Sequence, residues 1–142
     1  MATTPYEWPA GGAGTKAERA LSATHLNTHT AAIAELQAMH AAQALGDAAN
    51  IAWNLATGGY ATVTLGGNRT LDNPTNLTAG ARYTLTVTQD ATGTRTLGYG
   101  NAYKFPGAVP PVLTSTANAV DVLEFVSDGA VMRLVNFAGD LR

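Results

Sequence analysis

Chemistry needs side chains that ionise, ligate or attack, and this chain supplies few of them. Its three histidines, His25, His29 and His40, all precede residue 41. His25 and His29 stand four apart, a spacing at which two imidazoles on one helix face can share a metal. A metal site needs three or four converging ligands. No Asp or Glu lies between or near the pair, and Cys is absent, so neither metal nor other cofactor is expected. A Ser/His/Asp arrangement fails on inventory: Ser22 lies at a helix start, Ser115 and Ser127 sit in turn contexts, and no histidine follows residue 40. Asp121 and Glu124 are three apart in a strand-like run, and strand alternation sends them to opposite faces, not across one sugar. Asp121 shares its face with Leu123 and Phe125, the position of a half-buried acid bonded to hydroxyls or backbone amides. No glycine-rich phosphate cradle precedes a helix. The expectation is a protein without catalytic residues, not an enzyme.

Recognition is a different matter. In Leu97–Gly107, Tyr99 and Tyr103 offer ring faces for a cell-surface glycan, with Asn101 and Lys104 as hydrogen-bond donors. The competing reading has Tyr99, Tyr103 and Phe105 plugging a sheet edge or a subunit interface. It is favoured, because aromatics that bury about 150–250 Å² each more often pack than recognise. Near the N-terminus, Tyr6, Trp8 and Pro9 are the candidates for docking on a partner. Pro5 and Pro9 exclude a continuous helix there, and Gly11, Gly12 and Gly14 make a pliable joint. Residues 1–15 read as an extended docking arm, with a plain disordered tail as the alternative.

Composition narrows the classes further. Charged residues make up 13% of the chain, about half the ~25% usual for a soluble domain. Net charge is −2, which leaves no basic excess for phosphates and argues against nucleic acid. No apolar run approaches the ~20 residues of a membrane span, and no secretory signal is visible.

These residues must be held by two kinds of element. Thr15-Lys16-Ala17-Glu18 is a capping-box pattern opening a helix over 16–46, with a restart at Ser22 or Thr24 and Gly46 as its C-cap. Its best heptad seam is Leu26, His29, Ile33, Leu36, His40 and Gln43, a narrow and half-polar stripe flanked by alanines. Such a stripe fits a short coiled coil in which polar seam residues set register and stoichiometry. From Asp47 the period becomes two. Ile51, Trp53 and Leu55 share a face, Tyr60–Leu65 and Arg69–Leu71 follow, and Tyr83, Leu85 and Val87 face inward between outward threonines. Asp90–Gly93 makes a turn with glycine in the left-handed position, leading into Arg95–Tyr99. Val120–Val126 and Val131–Phe137 make a closing hairpin around Ser127-Asp128-Gly129. No long internal repeat is visible. The expected architecture is mainly β with an N-terminal helix: arm 1–15, helical stalk 16–46, and an antiparallel sandwich or jelly-roll-like knob over 47–142. Asn68 and Asn76 open glycosylation sequons, read as accidental in a threonine-rich chain.

The β region resembles a small domain of bacteriophage tail fibres, head fibres and related virion appendages. The resemblance is carried by Trp53–Tyr60, Val63–Leu71 with Asn73-Pro74, Tyr83–Leu97, Lys104–Gly107, Pro110 and Ala117–Leu123, in that order and spacing. It spans about residues 50–142. It implies a trimeric β-knob behind a helical or fibrous stalk, an N-terminus fixed to the virion, and no catalytic motif. In such a trimer the seam is Leu26, His29, Ile33, Leu36 and His40, and rings of His29 or His40 could hold water or an anion. The function so implied is a short homotrimeric fibre or decoration protein of a phage particle, placed on the head. Its partners are a capsid or tail protein at the arm and host surface at the knob. The alternative is a tail-associated, glycan-binding receptor protein.

Overall fold

The computed structural model describes residues 16–38 and 41–142, with side chains described for 23–37 and from 41 onward. The chain divides between Leu36 and Gln37 into two units.

The first unit is built on α1 (Lys16–Ala38), which runs through Ser22–Thr24 without a break. The Thr28 and Thr30 hydroxyls donate to the carbonyls of Thr24 and Leu26, one turn back, at 2.9 and 2.8 Å. That geometry lets threonine sit inside a helix without competing for its backbone. Every side chain from Ala23 to Gln37 is exposed.

The helix stops at Ala38, short of the expected Gly46. Ala42–Ala44 is instead a strand, β1, pairing in parallel with residues 60–62. The Leu45 amide extends that pairing by donating to the Thr62 carbonyl at 2.8 Å, and its side chain joins the core. Alanine favours helix, but backbone pairing and a buried leucine outweigh tenths of a kcal/mol of propensity per residue. Gln43, expected on the helical seam, therefore lies on β1.

Eight further strands follow in the second unit. They are β2 (Asn50–Ile51), β3 (Tyr60–Leu65), β4 (Arg69–Leu71), β5 (Arg82–Gln89), β6 (Leu97–Tyr99), β7 (Tyr103–Lys104), β8 (Val120–Ser127) and β9 (Met132–Ala138). The chain alternates between two sheets: β1, β3 and β5 go to one, β2, β4 and β6 to the other. Within each trio every pairing is parallel. Three coils therefore stack along the chain, with Ile51 and Leu71 of one sheet and Val63, Leu65, Leu85 and Val87 of the other in one core. The β8–β9 hairpin then adds antiparallel to β5, and β7 pairs parallel with the start of β9. The larger sheet runs β1-β3-β5-β8-β9-β7.

An antiparallel sandwich was expected, and instead the larger sheet is mixed and the smaller one parallel. Two-residue alternation marks a half-buried strand but is blind to the direction of its neighbour. The closing hairpin is antiparallel as expected, with a bulge between Glu124 and Phe125. Its inward residues Leu123, Phe125 and Met132 are fully buried beside Trp53, whose ring meets Tyr83 and Phe125 edge to face at 6.2 and 6.5 Å.

Turns that carry the chain between sheets are fixed by their own polar groups. At Asp90–Gly93 the Asp90 carboxylate accepts from the amides of Thr92 and Gly93 at 3.0 and 2.9 Å, and from Nε and Nη2 of Arg95. The buried Gln89 amide pairs both ways with the Arg95 backbone at 2.9 Å, replacing a strand partner at the crossing. Arg69 holds Asp47 in a two-pronged ion pair at 2.6 and 3.0 Å, clamping the entry of the first coil to the Gly66-Gly67 turn of the second.

Candidate functional site

The aromatic segment 97–107 is assembled by β6, β7 and the turn between them. Strand alternation at β7 turns Tyr103 inward and Lys104 outward. Tyr103 is 4% exposed, stacks edge to face on Phe125 at 5.6 Å, and donates to the Asp72 carbonyl at 3.1 Å. Tyr99 is half-buried against Tyr103 and Phe105, with ring centroids 5.8 and 4.8 Å away. Burial pushes both phenols well above their ordinary range. The row Phe105, Tyr99, Tyr103, Phe125, Trp53, Tyr83 is one continuous aromatic spine.

That placement corrects one candidate. Tyr103 has no ring face to offer a glycan, because its stacking and its hydroxyl are both used inside the fold. Tyr99 presents only part of its ring to a groove of about 380 Å³, shared with Asn101, Lys104, Phe105 and Pro110. Asn101 and Lys104 are exposed, yet each is engaged locally. Asn101 accepts from the Asn73 side-chain amide, and the Lys104 ammonium donates to the Asn101 carbonyl, both at 2.8 Å. Asn73 also accepts from the Ala102 amide at 2.8 Å, so the pair ties the turn of one coil to the turn of the next. Asn54 and Asn76 make a second such rung at 2.7 Å.

Asp121 is 2% exposed and accepts from the amides of Thr114 and Asp140 at 2.6 and 2.8 Å, joining the loop before β8 to the C-terminal segment. Glu124 lies on the opposite face and takes the Asn136 amide at 3.1 Å. The two carboxylates do not converge. Ser127 is buried and its hydroxyl accepts from the Gly129 amide at 3.0 Å.

Of the seam residues, Leu26, Ile33 and Leu36 are exposed by 67, 54 and 59%, and His29 is exposed with them. Their spacing of three and four keeps them on one stripe of α1. His40, and the docking candidates Tyr6, Trp8 and Pro9, lie outside the described residues. Among the described residues no group of three or more His, Asp or Glu side chains converges as a metal site would require, and no helix is long and apolar enough to cross a membrane.

A second cleft, of about 520 Å³, opens at the first residues of β3 and β5. Leu55, Gly58, Gly59, Tyr60, Arg82 and Tyr83 contribute to it. It was missed in the sequence, although a signal was there. Alternation places Tyr60 and Arg82 on the outward threonine face, where an aromatic and a cation stand out.

A family model described as "Putative phage tail fibre C-terminal domain" matches residues 54–131, more than half of the chain, from before β3 to the end of the β8–β9 turn. No curated protein and no solved structure matches the chain.

Proposed function

The chain belongs to this family of phage tail fibre C-terminal domains and is a structural fibre component of the virion, and from that premise we propose a short homotrimeric fibre. In this reading α1 gathers three copies, residues 1–15 dock on the particle through Tyr6, Trp8 and Pro9, and the β unit is displayed toward the host without catalytic chemistry of its own. The observation that carries it is the exposed apolar stripe on α1. Three large apolar side chains at heptad spacing are more than half exposed in the single chain, and a helix so presented is stabilised by association, not by propensity. Three copies on one axis also turn a weak surface contact into a useful one through effective concentration.

Placement on the tail is favoured over placement on the head, because the matching family is one of tail fibres. Antibody labelling of purified particles tests this directly. Label at the tail is the expected result; label over the capsid overturns the placement, and unlabelled particles overturn the fibre reading itself. A chain lacking residues 1–15 is expected to remain a soluble oligomer and to be missing from particles.

A further inference from the structure

We infer that the cleft between the starts of β3 and β5 binds an acidic saccharide, with Arg82 pairing its carboxylate and Tyr60 supporting its ring. Four other arginines of the β unit, Arg69, Arg95, Arg133 and Arg142, are each held by an aspartate. Among the described residues Arg82 is the arginine whose guanidinium has neither ion pair nor hydrogen bond, and it stands exposed at the cleft. An unpaired planar fork of donors is the group best matched to a carboxylate, which it grips through two parallel bonds.

Its surroundings select for more than charge. Tyr60 is 38% exposed, and its ring is fixed on the sheet by the contact of its hydroxyl with Thr86 Oγ1 at 2.9 Å. The register places Tyr60 opposite Thr84, two residues along β5 from Arg82, so the two residues are diagonal neighbours on one face, and both line the cleft. Gly58 and Gly59 keep the wall low, and Leu55 and Ala56 make it apolar. The Tyr83 hydroxyl accepts from the Thr78 amide at 3.2 Å, which leaves its own proton to donate. Among the described residues no carboxylate lines the cleft. The single acid on the outward face of β3, β5 and β8 is Glu124, opposite Thr84 and bonded to Asn136. A flat ring support, a low wall and one bidentate cation fit a sugar that carries a carboxylate, and the volume suits a disaccharide.

The inference rests on the β unit's being displayed toward a host surface, and the test separates the two. The full chain is titrated with digalacturonic acid and with the neutral galactose disaccharide of the same linkage, followed by calorimetry or amide shifts. Saturable binding of the acidic sugar is expected, weakened by added salt, with the neutral sugar much weaker. Arg82→Gln, with its unfolding midpoint unchanged, should weaken the acidic sugar roughly tenfold or more, the scale of a lost charged hydrogen bond. Tyr60→Ala should weaken both sugars, and Lys104→Gln neither. No binding by the parent chain, equal affinity for both sugars, or a loss with Lys104→Gln in place of Arg82→Gln overturns the site. Particle labelling, by contrast, bears only on where the fibre stands.

Discussion

Gly93 illustrates how tightly single residues are set in the β unit. Its φ is +73°, a region that costs an L side chain. A Cβ there would also sit 2.6 Å from the Ser115 carbonyl oxygen and 2.7 Å from the Ala117 amide nitrogen, both backbone atoms with nowhere to go. Gly93→Ala is therefore expected to cost about 2–4 kcal/mol, strain and overpacking together, read as a lower urea midpoint at unchanged slope. Asp121→Ala acts by another route, taking the acceptor from two partly buried amides at roughly 1 kcal/mol each. Asp121→Asn keeps one acceptor and should fall between Ala and the parent in the same urea series. Both residues were readable from sequence, Gly93 from its turn and Asp121 from its place among leucine and phenylalanine. For Tyr103 the favoured packing reading is the one the structure has, but its direction was not readable, because a tyrosine beside asparagine and lysine looks the same on a recognition loop and on a two-residue strand. Its inward direction is decided by Phe125 and the Asp72 carbonyl, both more than twenty residues away.

At the scale of elements, strands were legible and their partners were not. Tyr60–Leu65 and Arg69–Leu71 are strands at the expected bounds, and burial along Tyr60–Leu65 alternates cleanly. The coils they form hide any period. The register advances 18 residues from Ala42 to Tyr60 but 24 from Tyr60 to Thr84, and turns of unequal length erase a repeat that the backbone keeps. β1 was hidden altogether, because its alanines have no strand signature and exist as a strand only through β3. The crossings are held by aspartates, and that sets a pH dependence. The Arg69 guanidinium lowers the Asp47 carboxyl, and Arg95, with the Gly93 and Thr92 amides, lowers Asp90. The amides of Val131 and Ala130, then Arg133, hold Asp128 far below the usual carboxylate range. Because these folded values lie below the unfolded ones, their stabilisation is complete above the ordinary carboxylate range and is lost as pH falls through the lowered values. Thermal midpoints should be level from pH 7 to about 5 and drop below about 4. Asp128→Asn should melt lower at pH 7 and lose less on acidification; an equally steep acid loss in Asp128→Asn would remove that turn from the account.

For the whole molecule, the low charge content is the property that most needs a physical cause. The β unit does not explain it by burial alone, because its outward strand residues are mostly threonine and valine and remain half-exposed. Helix α1 carries alanines and three exposed aliphatic side chains where a solvated helix would carry charge. Surface of this kind is stable in water when copies share it. The trimer reading thus predicts that association and β-unit stability can be separated by mutation. Replacing Leu26, Ile33 and Leu36 together by serine removes the stripe without touching a core residue of the β unit. Sedimentation equilibrium should give three chains per particle for the parent and one for the triple variant, or three chains held far more weakly if the β units also associate. The thermal transition of the β unit should persist in the variant, shifted only by what oligomerisation contributed through mass action. A parent chain that sediments as a monomer, or a triple variant as tightly trimeric as the parent, would remove α1 from the assembly and leave the stripe without a role.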